Sequence, residues 1–337
     1  MTITVLRPGM LASVQDLGRF GRRELGICPG GALDTLGLAL ANRLVGNEDG
    51  AAGLELTLGH CELRFEADTR IALAGDDFGA RLDGRPLWPL WSVPVRAGQR
   101  LRLAGVNASP HKAGLRSWLA VAGGIDVAPV LGSRSTDLKA GFGGLQGRAL
   151  KKGDVLPVGP GRLDEAQQRR SPFGVRGPEW DEDLCEGEAP PGFITLRTTP
   201  GPECGHFSEA VRRQFHTALW RVTPQSNRMG SRLDGPALAR QREGDMLSSA
   251  VIPGTVQVPP SGLPIVLMGD AQTTGGYPRI AVVIRADLWK LAQAPLGARL
   301  RLEEVDAATA LAAWQAQKRY LASVRQGLAA MGWPAAA

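Results

Sequence analysis

The sequence has few residues of the kinds that build metal, disulfide or phosphate sites. Its 337 residues include 4 cysteines and 4 histidines. The cysteines form no C-x-x-C pair and no H-E-x-x-H spacing occurs, so we expect free thiols in a reducing compartment and no metal site. Residues 141–148 (GFGGLQGR) are rich in glycine but match neither a P-loop nor a dinucleotide fingerprint. The chain also lacks a G-x-S-x-G elbow, which argues against a serine hydrolase.

Long apolar runs and blocks of like charge are also missing. No stretch approaches the roughly 18 apolar residues of a membrane helix. The N-terminal MTITVLRPGM has neither a basic region nor a long apolar region, so we expect a soluble, cytoplasmic protein with no signal peptide and no membrane partner. The formal net charge of +6 is spread along the chain. This dispersion argues against nucleic acid as a partner.

Glycine, proline and apolar residues are plentiful. The 44 glycines and 24 prolines predict dense turns, while 43% hydrophobic and 21% charged residues are an ordinary globular balance. A chain of this length can build a packed core without disulfides or metal, and its length suggests two domains.

Apolar residues alternate with polar ones in both halves of the chain. Residues 54–58, 63–65 and 71–73 show this period of two, and it resumes from residue 194 to residue 302. One early helix is expected after Asp34, with an apolar row at a spacing of four residues. An alanine-rich helix is expected near the C-terminus. The sequence therefore predicts a mainly β protein with a few helices, divided into an N-terminal β domain (1–160), a connecting segment (161–192), a C-terminal β domain (193–305) and a C-terminal helix (306–337).

Two pairs of segments resemble each other. Residues 79–87 share six of nine positions with residues 230–238, and GQRLRL at 98–103 resembles GARLRL at 297–302. A duplication would give two related β domains, whereas chance similarity between hairpin turns would give the same pattern. Both interpretations remain open from the sequence.

Three segments at predicted strand ends concentrate small and polar residues: 132–137 (GSRSTD), 226–233 (SNRMGSRL) and 270–278 (DAQTTGGYP). Such loops suit a small polar ligand, because arginine can hold a carboxylate with two hydrogen bonds and backbone N–H groups can face an oxyanion. The alternative is that they are tight turns in which arginine pairs with a neighbouring aspartate.

At these segments the chain resembles a known family, the biotin-dependent carboxyltransferase-like proteins, also called the allophanate hydrolase subunit 2 family. The similarity covers about residues 3–305. It is carried by residues 13–21 (SVQDLGRFG), 31–34 (GALD), 119–124 (LAVAGG), 130–137 (VLGSRSTD), 228–230 (RMG) with 232–233 (RL), and 257–278, which includes QVPP and QTTGGYP.

The resemblance implies two cyclophilin-like β-barrel domains and the role of the C subunit in an ATP-dependent 5-oxoprolinase. In that role the chain is part of a hydrolase, active only in complex with subunits A and B, which cleaves 5-oxoproline to L-glutamate. It binds no cofactor, because the ATP is used by a partner chain. The residues expected to act are catalytic Arg228, Asp270 and Tyr277 and substrate-binding Arg134, Ser135, Gln257, Gln272, Thr273 and Thr274.

Two other functions fit the same resemblance. One is the carboxyltransferase component of a biotin-dependent, urea carboxylase-like system, with the biotin on another chain because this chain has no A-M-K-M-like attachment motif. The other is a regulatory protein that antagonises a kinase inhibitor and performs no catalysis.

Overall fold

The chain forms two compact units. The computed structural model describes residues 1–106, 108, 114–178, 192–241 and 246–334. The first unit comprises Met1–Phe20, Gly30–Gly177 and Tyr320–Ala337, and the second comprises Gly21–Pro29 and Pro178–Arg319. Residues 179–191, which belong to the predicted connecting segment, lie outside the described part of the chain.

The first unit is built on two antiparallel sheets of six strands each. Their strands are β1 (Thr2–Pro8), β2 (Leu11–Gln15), β3 (Gly53–Thr57), β4 (Cys61–Phe65), β5 (Thr69–Gly75), β6 (Arg81–Leu82), β7 (Arg85–Pro86), β8 (Trp91–Val95), β9 (Arg100–Leu103), β10 (Arg116–Val121), β11 (Val155–Pro157) and β12 (Phe173–Gly174). One sheet has the order β11-β1-β4-β9-β6-β7, and the other has the order β12-β8-β5-β10-β3-β2.

Alternating side chains create the core of this unit. In β4, Leu63 and Phe65 are fully buried, while the intervening Arg64 faces outward and pairs with Glu66. The same period in β9 buries Leu101. Since successive strand residues point to opposite faces, this pattern gives each sheet one apolar face that packs into the core.

Within the described residues, two helices lie wholly in the first unit. The helix α1 (Thr35–Leu44) begins as the sequence predicts: the Asp34 side chain accepts a hydrogen bond of 2.8 Å from Gly37 N. All its residues from Leu36 onward are buried. The short helix α2 (Glu165–Arg169) begins with a capping box formed by Asp164 and Gln167.

A closed barrel of seven strands forms the second unit. The strands of this unit are β13 (Phe193–Pro200), β14 (Trp220–Val222), β15 (Gly230–Asp234), β16 (Ser249–Ala250), β17 (Thr255–Gln257), β18 (Ile265–Leu267), β19 (Thr274–Gly275), β20 (Arg279–Val283) and β21 (Arg299–Glu304). The barrel order is β13-β20-β17-β18-β15-β14-β21, with one parallel pair, β13 and β21. The short strands β16 and β19 pair separately. In the described part of the chain, two helices lie wholly in this unit, α3 (Glu209–Thr217) and α4 (Leu288–Gln293).

The predicted C-terminal helix is confirmed as α5 (Ala307–Ala330). Within the first unit, the chain beyond it packs back on earlier residues: buried Trp333 donates from Nε1 to the Arg43 carbonyl at 3.0 Å, and its ring lies 5.2 Å from the Arg70 guanidinium. The prediction of a mainly β fold with few helices is also confirmed. Within the described ranges, none of the helices has the length and apolar character needed to cross a membrane.

Candidate functional site

The residues predicted to act fall into both units. Arg134 and Ser135 belong to the first unit, while the second unit holds Arg228, Gln257, Asp270, Gln272, Thr273, Thr274 and Tyr277. Within the second unit they occupy the segment before β15, the end of β17 and the long connection from β18 to β20.

Arg228 and Asp270 form a buried ion pair. Nε and Nη2 of Arg228 donate to the two carboxylate oxygens of Asp270, each at 2.8 Å, and the side chains are only 4% and 5% exposed. The backbones are joined too, since Asp270 N donates to the Arg228 carbonyl at 3.0 Å. The pair therefore extends the contact between β15 and β18 and fixes where the β18–β20 connection begins.

The β18–β20 connection forms one edge of a two-stranded ribbon, defined here as residues 246–252 and 271–277. Ser249 pairs with Gly275 and Ala250 with Thr274. The ladder continues because Val251 N donates to the Thr273 carbonyl at 3.0 Å. The ribbon presents the side chains of Gln272, Thr274 and Tyr277 to solvent, with Tyr277 44% exposed.

Buried Gln257 lies beneath the ribbon. Its Nε2 donates to the Tyr277 carbonyl at 3.4 Å. A Cβ atom on Gly275 would lie 2.5 Å from that same Nε2, so any larger residue at position 275 would force the Gln257 amide to move. The amide of Gln257 therefore contacts the ribbon backbone and helps to place Tyr277.

An ion pair on β20 supports the ribbon from a second side. Arg279 donates from Nη1 to the Ala250 carbonyl at 2.7 Å. Its Nε donates to Glu203 Oε2 at 2.6 Å, and its Nη2 contacts Oε1 of the same carboxylate. This hydrogen-bonded guanidinium lowers the pKa of Glu203 below its usual value.

The register between β17 and β18 separates the Arg228–Asp270 pair from Gln257. Gln257 pairs with Ile265 at the start of β18, whereas Asp270 lies beyond Leu267 at its end. Arg228 and Asp270 thus lie at one end of β18 and Gln257 at the other, with the β18–β20 connection running between them. The sequence could not reveal this separation, because it depends on which residues of β17 and β18 face each other.

A polar cluster in the first unit occupies the other predicted segment. Asp16 Oδ1 accepts from the hydroxyls of Ser133 at 2.7 Å and Ser135 at 2.6 Å, and Oδ2 accepts from Arg134 N at 2.5 Å. Ser135 is fully buried, and its hydroxyl also accepts from Asp16 N at 2.9 Å. The Arg134 side chain instead pairs with Asp126 at 3.2 Å on the surface.

Sequence reasoning missed Asp16 and Arg19 as members of this cluster. Arg19 is 1% exposed, donates to the Ser135 carbonyl at 2.5 Å and stacks over the Phe142 ring at 4.7 Å. Both residues lie in the SVQDLGRFG motif, which was the available signal. The cluster binds three chain segments together, and the substrate-binding roles of Arg134 and Ser135 stay predictions.

The exposed ribbon offers hydroxyl and amide groups rather than charges. Such groups can donate and accept hydrogen bonds to a small amide or lactam, while the nearest ion pairs, Arg228–Asp270 and Glu203–Arg279, are internally neutralised. In the described ranges, no group of three or more His, Cys, Asp or Glu side chains is placed to hold a metal ion.

Comparison with known proteins gives two close matches along nearly the whole chain. The chain is 47% identical over 318 residues to the C subunit of Escherichia coli 5-oxoprolinase, covering 94% of this chain and 96% of that protein. It is 36% identical over 324 residues to the C subunit of Haemophilus influenzae 5-oxoprolinase, covering 96% and 98%.

Solved structures and a family model agree. The crystal structure of Kluyveromyces lactis urea carboxylase superimposes with a TM-score of 0.83 at 29% identity, covering 95% of this chain and 29% of that one. This chain thus corresponds to under a third of that larger protein. The family model described as carboxyltransferase domain, subdomain A and B, matches residues 25–304. The chain therefore belongs to the carboxyltransferase subdomain A and B family.

Proposed function

We propose that this chain is the C subunit of an ATP-dependent 5-oxoprolinase, a hydrolase in which it acts with subunits A and B to convert 5-oxoproline to L-glutamate. The observation that carries this proposal is the 47% identity to the Escherichia coli protein over 94% of this chain and 96% of that one. Because the similarity extends over nearly the full length of both proteins, it favours the same role for this chain within a complex of several subunits.

The chemistry of the substrate explains which step of the reaction each subunit would perform. A lactam resists hydrolysis, so ATP must first activate the ring carbonyl. This chain contains neither a P-loop motif nor a dinucleotide-binding fingerprint. In the proposal ATP is bound by a partner, and this chain binds no cofactor and completes ring opening within the assembled complex.

The ribbon supplies the substrate-facing groups in this proposal. Gln272 and Thr274 are exposed and can hydrogen-bond the lactam amide or the ring carbonyl, with Thr273 and Gln257 ordering the backbone behind them. Exposed Tyr277 can hold or transfer a proton at its phenolic oxygen.

Arg228 and Asp270 remain predicted catalytic residues. Because they are bonded to each other, Arg228 would have to release Asp270 before it could bind a substrate through the same nitrogens. Both nitrogens on one edge of the guanidinium are bound to Asp270. Gripping a substrate carboxylate through that edge would require an exchange of partners. In the resting arrangement the pair acts by holding one end of the ribbon segment in place. Arg134 and Ser135 are kept as substrate-binding candidates on the first unit.

Glutamate formation from 5-oxoproline and ATP tests the proposal. Purified subunits A and B are assayed with and without this chain, and we expect glutamate only when it is present. Gln272→Ala should lower turnover, whereas the same substitution at exposed Gln326 on α5 should not. If the added chain binds the B subunit but turnover is unchanged, a carboxyltransferase or regulatory role replaces the proposal.

A urea carboxylase-like role is the second candidate. It is favoured by the TM-score of 0.83 with the Kluyveromyces lactis enzyme. In that role the chain would transfer a carboxyl group from biotin, carried on another chain, to the amino group of urea. Urea-dependent incorporation of labelled bicarbonate, in the presence of the biotin-bearing chain, would distinguish this role from lactam hydrolysis.

A further inference from the structure

An arginine far from the ribbon in sequence is bonded to both of its edges. The segment Gly21–Pro29 belongs to the second unit and contains a short 3-10 turn at Arg23–Leu25. Nη2 of Arg23 donates to the Val251 carbonyl and, at 3.3 Å, to the Thr273 carbonyl. One guanidinium nitrogen therefore joins the two strands of the ribbon.

The bonded carbonyls lie where the ribbon ladder ends. Beyond the pair Ala250–Thr274, the ladder gains one further bond, from Val251 N to the Thr273 carbonyl. The strands β16 and β19 are only two residues long each. Isolated two-stranded ribbons are marginally stable in water, so a ribbon this short depends on groups outside it.

Among the described residues, three side chains from outside the ribbon donate to its backbone: Arg279 to Ala250, Gln257 to Tyr277, and Arg23 to Val251 and Thr273. Arg279 and Gln257 belong to the barrel. Of these three described donors, Arg23 reaches both strands, and the Thr273 carbonyl that it contacts lies between Gln272 and Thr274 in the chain.

We propose that Arg23 is a positioning residue, which holds the ribbon so that Gln272 and Thr274 face the substrate. This inference rests on the proposed function for the identity of that substrate. Arg23 takes no part in bond making or breaking. It stabilises one geometry of the backbone, because a planar guanidinium can direct its N–H groups at two carbonyls at once.

The experiment compares Arg23→Ala, Arg23→Lys and a matched control, Arg22→Ala, since Arg22 is the exposed neighbour in the same segment. Each full-length variant is assembled with subunits A and B. We expect Arg23→Ala to lower kcat/KM for 5-oxoproline about tenfold, the effect of one charge-assisted hydrogen bond. Arg23→Lys should recover part of the loss, and Arg22→Ala should match the wild type.

Hydrogen exchange separates positioning from general destabilisation. In Arg23→Ala we expect faster amide exchange in peptides covering residues 246–252 and 271–277, with unchanged exchange in the barrel strands and unchanged affinity for the B subunit. Unchanged ribbon exchange would overturn the inference, and so would kcat/KM equal to that of Arg22→Ala.

The two arms also keep the inference distinct from the proposed function. If the wild-type complex forms no glutamate, the proposed function is wrong, and ribbon exchange in Arg23→Ala alone decides whether Arg23 orders the ribbon. Faster exchange supports that role, and unchanged exchange refutes it.

Discussion

Truncating Arg228 to alanine should destabilise the barrel as well as change activity. The substitution deletes a guanidinium that is 4% exposed and bound at 2.8 Å through two nitrogens to Asp270, itself 5% exposed. A buried carboxylate then loses its counter-charge, a change that costs about 3–5 kcal/mol when one member of a buried pair is removed. That is a large share of a typical stability of about 5–15 kcal/mol.

A double-mutant cycle measures this effect. Urea unfolding of Arg228→Ala, Asp270→Ala and the double variant can be followed by tryptophan fluorescence, to which fully buried Trp220 of the barrel unit contributes. The double variant removes both charges, so we expect it to be more stable than additivity predicts, by about 1–3 kcal/mol. A cost below about 1 kcal/mol for Arg228→Ala, or strict additivity in the cycle, would refute the argument. A loss of activity in Arg228→Ala therefore indicates a catalytic role only if the variant is still folded under the assay conditions.

The remaining predictions concern one activity and two titrating groups. Tyr277→Phe should lower glutamate formation by about tenfold or more if the phenol moves a proton, without lowering the melting temperature, because the side chain is 44% exposed; equal turnover would contradict that role. Burial raises the pKa of Cys61 to about 12, so at pH 8 a thiol reagent should modify the half-buried Cys204 before Cys61, as mass spectrometry of the labelled peptides would show; equal rates at these two cysteines would contradict this. The guanidinium of Arg279 lowers the pKa of Glu203, so this carboxylate stabilises the fold at neutral pH and the contribution is lost as pH falls through its folded pKa. Acidification should then lower the melting temperature less in Glu203→Gln than in the wild type, and parallel curves would contradict the sign.

Local sequence signals predicted much of the fold. The period of two predicted the strands. The position of α1 could be predicted because its N-cap, Asp34, and its buried apolar residues lie next to each other in the sequence. The strand register and the closure of the barrel could not be predicted from the sequence, since they depend on pairings between distant strands such as β13 and β21.

The internal similarity shows how context changes a shared pattern. Residues 79–87 contain the hairpin β6–β7, in which Asp83 and Gly84 adopt positive φ angles of 45° and 82°. The matching residues 230–238 contain the strand β15, which pairs with β14 and β18 rather than turning back on its own continuation. Similar residues therefore take different partners in the two units.

Sequence motifs located the polar segments but could not show whether each side chain has a structural or a substrate-binding role. In the SVQDLGRFG and GALD motifs, Asp16 receives hydroxyl and backbone hydrogen bonds, and a Cβ on Gly31 would lie 2.7 Å from the backbone of Leu17 and Gly18. These residues hold chain segments together. Residue type cannot separate such structural polar groups from substrate-binding ones, because burial and hydrogen-bond partners decide between the two.

The path of the chain through the two units bears on how the protein is made. The chain passes between units after residues 20, 29, 177 and 319, and the first unit includes residues from position 320 onward. Buried Trp333, bonded to the Arg43 carbonyl, is among them. During synthesis from the N-terminus, the first unit therefore cannot finish folding until the residues around Trp333 leave the ribosome. A gene split after residue 177 would yield a first half that lacks part of its own core.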